Sequence, residues 1–225
     1  MVTLSELEIA IIDISKNHYI QTASGVALTD RINEAVMAIA GGIKMPDGVM
    51  STPLPDLLET AVVATTVNAY ASLPATYQRN VFYIVDTAGV RVPSSLNGEE
   101  YSFLQFLNNA TKKDLSTVGD VTYTCVKGSS LYYQGIPSVS VNLTIMFYRK
   151  PVAMVNDSDT PDGIPDQFQT RLIKHYVGRQ LASEMVDGLP KMAEYHNNEF
   201  YSAMRDMIDF IGYDVEPVYF LPGDD

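Results

Sequence analysis

The chain contains a single cysteine, Cys125, and no tryptophan. One thiol cannot close an internal disulfide, so a disulfide-stapled scaffold is excluded, and its setting in Val121-Thr-Tyr-Thr-Cys-Val126 predicts a small buried hydrophobe in a strand. Basic residues are also scarce: 15 Lys and Arg stand against 27 Asp and Glu, a net charge of −12. A surface that grips nucleic acid through its phosphates needs clustered cations, which argues against that class. It does not argue against a conduit through which DNA slides, because an acidic wall repels phosphate. No run of about 18 apolar residues is free of charge, and Met1-Val-Thr-Leu-Ser-Glu-Leu-Glu8 carries acids where a signal peptide has a basic region. The expectation is a protein that stays in the cytoplasm where it is made. Phosphate-cradling GxxxxGK[ST] and GxGxxG patterns, the zinc pattern HExxH and the nucleophile elbow G-x-S-x-G are missing as well. No cofactor is implied.

What is present is a globular composition, 46% hydrophobic over 225 residues, enough for one large domain or two small ones. Its clearest stretch joins a strand to a long helix. Leu143-Thr-Ile-Met-Phe-Tyr-Arg149 is β-branched and aromatic, as a half-buried strand requires. Asn156-Asp-Ser-Asp-Thr-Pro-Asp-Gly163 is a polar turn, and Ile164-Pro165 opens a helix with proline in its tolerated first turn. Phe168, Leu172, Ile173, Tyr176, Val177, Leu181 and Met185 then recur at the helical period. Pro190 starts a second helix after Asp187-Gly188, with Ala193, Phe200, Met204, Met207 and Ile211 inward, so that the two form an antiparallel hairpin.

Before this stretch, Thr3 or Ser5 can cap a helix with Leu4, Leu7, Ile11, Ile14 and Asn17 on its inner stripe, and Thr29 or Asp30 starts another with Ile32, Val36 and Ile39, stopped by Gly41-Gly42. The spacing of Leu58, Val62, Val63, Val67 and Tyr70 predicts a third helix over residues 56–71, against a competing strand signal from the β-branched cluster Val62-Val63-Ala-Thr65-Thr66-Val67. Between residues 77 and 150 short strands are expected at 81–85, 90–92, 121–126, 131–133 and 139–149, with a helix over 98–108 directing Tyr101, Leu104 and Leu107, or Phe103 and Leu107, inward. The fold class is α+β: a mainly helical bundle (residues 1–76 and 152–212) interrupted by a β-rich insertion (77–151), closed by the C-terminal hairpin and followed by an extended tail (213–225). That tail cannot be helical through Pro217 and Pro222, yet it carries Tyr213, Val215, Val218, Tyr219, Phe220 and Leu221. An apolar extended segment in water calls for a docking surface, on this fold, a neighbouring copy or a partner, and these six residues are the candidate partner-binding site.

Leu73-Pro-Ala-Thr-Tyr77, Leu131-Tyr-Tyr-Gln-Gly135, the strand ending Phe147-Tyr-Arg-Lys-Pro151, Asp162-Gly-Ile-Pro-Asp166, Leu172-Ile-Lys-His-Tyr176 and Glu184-Met-Val-Asp-Gly188 occur in an order that resembles the head-to-tail adaptor, or connector, proteins of tailed bacteriophages. The resemblance covers residues 73–212 well and the N-terminal helices in outline; the segment 94–119 is longer than in typical members. It implies a non-enzymatic virion protein at the neck. It further implies a dodecameric ring of self-associated copies, bound to the portal protein ring on one side and to a tail or nozzle protein on the other, with genomic DNA passing through without specific binding and no membrane involved. In such a ring, the apolar tail with its two prolines is expected to reach the portal or an adjacent subunit through Tyr213 to Leu221.

Chemical alternatives are thinner. His18, His175 and His196 sit on separate helices; His175 and His196 could meet across the hairpin, with Glu184 or Glu199 as further metal ligands. Asp157, Asp159 and Asp162 approximate a calcium loop, but Pro161 stands where the third acid belongs. Glu99-Glu100 point to different sides of a helix and make no acid–base pair. The competing function, a phage-associated hydrolase acting on peptidoglycan, would need a cleft of converging carboxylates.

Overall fold

The computed structural model describes residues 1–16, 28–48, 51, 54–95, 100–107, 115–184 and 190–211. These residues fall into two compact units, one built from residues 1–57 and 150–211, the other from Leu58–Arg149. The class is α+β.

The first unit holds four helices: α1 (Leu4–Lys16), α2 (Leu28–Gly41), α4 (Asp166–Glu184) and α5 (Pro190–Ile211). Helix α4 packs on the other three. Its buried face includes Leu172, Ile173, Tyr176 and Val177 of the apolar stripe anticipated from the 3.6-residue period, and Ala182 beside them. That face also buries Gln169, His175 and Gly178, which no hydrophobic pattern would select. On α5, Phe200, Met204 and Met207 are buried as expected, together with His196, Ala203 and Ile208. Phe168 meets Phe210, Arg171 bonds Asp206, and His175 lies by His196, so α4 and α5 run in opposite directions. Helix α1 is capped by Thr3: its Oγ1 accepts from the Glu6 amide at 3.3 Å while the Glu6 carboxylate accepts from the Thr3 amide at 2.9 Å. This reciprocal capping satisfies amide donors that the first turn leaves unpaired.

The second unit holds two sheets and α3 (Glu100–Leu107). The three-stranded sheet has the order β1 (Leu58–Ala64), β7 (Asn142–Arg149), β3 (Tyr77–Val85), all antiparallel. The four-stranded sheet has the order β2 (Tyr70–Ser72), β6 (Ser130–Gln134), β5 (Tyr123–Lys127), β4 (Ser94–Ser95); its β4–β5 pair is parallel. Their common core gathers Val63, Val81, Ile84, Val126, Leu131, Tyr133, Leu143, Ile145 and Phe147. Cys125 is fully buried, as its strand context predicts.

The helix anticipated over residues 56–71 is not formed. A single 3-10 turn, Pro55–Leu57, leads into β1, and β2 follows before Tyr77. Most of the residues that suggested a helical stripe are exposed, Leu58 by 44%, Val62 by 60% and Val67 by 84%, and of the stripe Val63 is buried. Alternating exposure along β1, together with its pairing to β7 from Leu58↔Tyr148 to Ala64↔Asn142, shows that the β-branched cluster prevails. Such side chains lose χ1 freedom in a helix and pack well on a pleated sheet, and β7 supplies the neighbours that realise this preference.

Two smaller corrections lie nearby. Residues 90–92 make no strand but a single bridge, Val85↔Arg91. In α3 the alternative with Phe103 inward holds, joined by the fully buried Phe106, whereas the one with Leu104 inward does not, since Leu104 is 51% exposed. Phe106 stacks on Tyr123 and Phe103 meets the Tyr132 edge, so the aromatic faces of β5 and β6 choose which side of α3 turns inward.

Candidate functional site

The acidic turn before α4 is built from backbone amides seeking acceptors. Asp159 Oδ2 accepts from the amides of Val155 (2.7 Å) and Asn156 (2.8 Å), and these bonds hold its carboxyl below the ordinary carboxylate range. Asp162 Oδ2 accepts from the Val152 amide at 2.8 Å. The carbonyls of Asp157 and Asp159 accept from the amides of Ser5 and Leu4, which ties the turn to the start of α1. Asn33 on α2 grips the strap from the other side, donating to the Met154 carbonyl at 2.9 Å and accepting from its amide at 2.8 Å. Two of the three acids of the calcium-like pattern therefore serve as acceptors for turn amides. The stretch is a joint that ties α1, α2 and α4 together, which is the role a helix-leading turn performs.

The second cluster is the histidine pair. His175 Nδ1 and His196 Nδ1 lie 2.9 Å apart in the buried contact of α4 with α5, so one ring donates and the other accepts. Tyr195 packs edge-on against both rings, and Gly178 leaves the space that the His196 ring fills, since a Cβ there would lie 2.9 Å from it. Burial lowers the His175 pKa to about 4, with the charges of His196 and Lys174 acting in the same direction. The anticipated meeting of these two histidines is thus present. The carboxylates considered as further ligands are occupied otherwise: Glu184 takes both terminal nitrogens of Arg31 at 2.8 and 2.7 Å, and Glu199 binds Arg171 at 3.2 Å. Among the described residues no group of three or more His, Cys, Asp or Glu is placed to hold a metal ion. His18 and Glu99 lie outside the described residues.

Neither cluster joins a nucleophile, a base and an open cleft. The turn's contacts lie at the surface and the histidine pair is buried, and the visible consequence of both is the mutual placement of helices. The six candidate partner-binding residues, Tyr213, Val215, Val218, Tyr219, Phe220 and Leu221, lie outside the described residues. No described helix is long and apolar enough to cross a membrane.

Comparison with known proteins gives a near-complete match. Residues 2–216 fit the family described as SU10 adaptor protein. No curated protein matches the sequence. A match over almost the whole chain spans the helical unit and the sheet unit alike, and the chain therefore belongs to the SU10 adaptor family, structural head-to-tail adaptors of tailed bacteriophages.

Proposed function

We propose that this protein forms a ring of identical copies, a dodecamer, seated beneath the portal at the neck of the virion, where it joins the DNA-filled head to a tail or nozzle protein and lets the genome pass. The observation that carries this reading is the family match over residues 2–216. The net charge of −12 supports a channel-compatible protein that does not hold DNA, because phosphates find few cations to condense on. Helices α1, α2 and α4, tied through the stretch that leads into α4, supply a framework, here read as a bundle closed by the α4–α5 hairpin, into which the sheet unit is inserted.

The partner-binding residues in this reading are Tyr213, Val215, Val218, Tyr219, Phe220 and Leu221, which bear apolar side chains on a segment that Pro217 and Pro222 keep extended. Proline lowers the entropy lost when such a segment is ordered on its receptor. No observation favours a peptidoglycan hydrolase.

The test is mass measurement by light scattering of the full chain alone and mixed with portal rings, paired with electron microscopy of intact particles carrying a labelled copy. Stoichiometric rings on the portal, and label at the neck, are the expected results. Failure to bind the portal, or wall-degrading activity abolished by one carboxylate substitution, would overturn the reading. A chain truncated after Gly212 that assembles as well as the full chain would remove the tail from it.

A further inference from the structure

The sheet edges of the second unit are not treated alike. Edge strands β2 and β4 are three and two residues long, too short to template another chain. Edge strand β3 is broken by register shifts at Tyr77/Arg79, Arg79/Val81 and Val81/Tyr83, and Asn80 adopts a positive φ of 52° between them. Short strands and bulges are the devices that keep an edge from pairing with foreign strands. Strand β1 has neither. Its seven residues pair with β7 without a break, and no described strand lies beyond it. It carries no proline and no lysine, and its one charge, Glu59, lies 3.9 Å from Arg149 of its own sheet.

The ladder phase says which groups face outward. The Thr65 amide donates to the Val141 carbonyl at 2.9 Å, and the register runs on through Val63↔Leu143, Ala61↔Ile145 and Glu59↔Phe147. Alternation along an antiparallel pair then turns the amides and carbonyls of Leu58, Thr60, Val62 and Ala64 away from β7. These same four residues carry their side chains on the exposed face.

From this edge we infer that β1 receives the C-terminal segment Tyr213–Leu221 of a second copy as an added antiparallel strand. This deepens the reading of the tail as the partner-binding segment and rests on it. Nine residues extend about 30 Å against about 23 Å for the seven of β1, so the segment spans the edge. Its proline points to the same register. If Asp214, Glu216, Val218 and Phe220 bond to β1, then Pro217 belongs to the alternate set whose N–H positions face away, where a missing donor costs nothing. That phase places Asp214 and Glu216, with Val218 and Phe220, on the exposed face of β1, and puts Tyr213, Val215, Pro217, Tyr219 and Leu221 on the face of Val63 and the core. The opposite phase would bury both acids and would set proline against a β1 carbonyl.

The test uses full-length chains on the portal ring. Copies carrying Thr60→Cys or Val62→Cys are mixed with copies carrying Val218→Cys and treated with a short bis-maleimide; Cys125 is fully buried and stays silent. Cross-links between two different copies are expected. Cross-links to the portal protein instead, cross-links within one diluted chain bearing both cysteines, or none at either position would overturn the inference. A second variant, Val62→Lys, places a charge at an exposed edge position, so its monomer should melt as wild type does while copy-to-copy association weakens about tenfold or more. Unchanged association would overturn it too. Wild-type chains that fail to assemble would sink the ring itself, whereas tail-dependent assembly that is indifferent to β1 would sink this inference alone.

Discussion

His175 and His196 share a hydrogen bond of 2.9 Å between their Nδ1 atoms in the buried contact of α4 with α5. Only one of two facing nitrogens can be an acceptor, so the contact requires at least one neutral ring. Protonating both would set two cations against each other where water is scarce. Arg171, Lys174 and Arg179 on α4 add positive charge nearby, and Glu199 on α5 is the facing acid.

The pair therefore sets an acid limit on the helical unit. The His175 pKa is lowered in the folded state from 6.5 to about 4, so the unfolded chain binds the proton first as pH falls. Stability should be complete above pH 6.5 and decline between there and pH 4, by on the order of 2–3 kcal/mol. Melting temperature measured across that window should fall for the wild type. In His175→Gln, which cannot titrate, the slope over the window should flatten.

Arg31 and Glu184 join α2 to α4 through two parallel hydrogen bonds, with the Arg31 side chain 7% exposed and that of Glu184 47% exposed. The bond from Arg31 holds the Glu184 carboxyl below its usual pKa near 4.5, so the contribution of the pair is present above that pH and lost as pH falls further. Glu184→Gln should cost about 1–3 kcal/mol at neutral pH, because it leaves a buried guanidinium without its anion, while the exposure of the glutamate keeps the loss at the lower end. Urea unfolding at pH 7 would measure it. Arg31→Met should cost less than Glu184→Gln, since it removes the buried charge itself.

Gly163 has φ +79°, and a Cβ there would stand 2.7 Å from Leu57 Cγ. Gly163→Ala must both strain the backbone and displace a fully buried leucine. A loss of about 2–4 kcal/mol is expected by chemical denaturation, against less than about 1 kcal/mol for Gly89→Ala, which shares the positive φ but meets nothing within 4 Å.

Asn33 satisfies both backbone groups of Met154 with its two amide atoms. Asn33→Asp removes the donor to the Met154 carbonyl while keeping the acceptor, and should cost about 1–2 kcal/mol. Asn33→Leu removes both and should cost more. Amide hydrogen exchange would report the loss at Met154, whose protection should fall in Asn33→Leu and persist in Asn33→Asp.

Much of the helical unit was legible in one dimension. In α2, α4 and α5 the apolar positions repeat at the helical period, and the cap candidates Thr3 and Ser5 mark the start of α1, where the structure selects Thr3, so local chemistry and tertiary burial agree. The strands β5, β6 and β7 were legible for the same reason, with aromatic and β-branched residues between clear turns. Residues 58–64 read both ways, because Leu58, Val62 and Val63 fit a helical stripe while the β-branching of Val62 and Val63 favours a strand. Sequence alone offered no way to weigh one against the other; the β7 edge did, by offering seven residues of ladder.

What the chain determined by itself is therefore the class, the periodic faces, the buried thiol and the family pattern, all set by neighbours within a few turns along the sequence. Tertiary structure alone decided that Arg31 meets Glu184 across 153 residues, that Phe106 rather than Leu104 turns inward, and that β1 is left as an open edge among the described strands. These are contacts between elements distant in sequence. Their geometry follows from how layers pack, a constraint that no local period encodes.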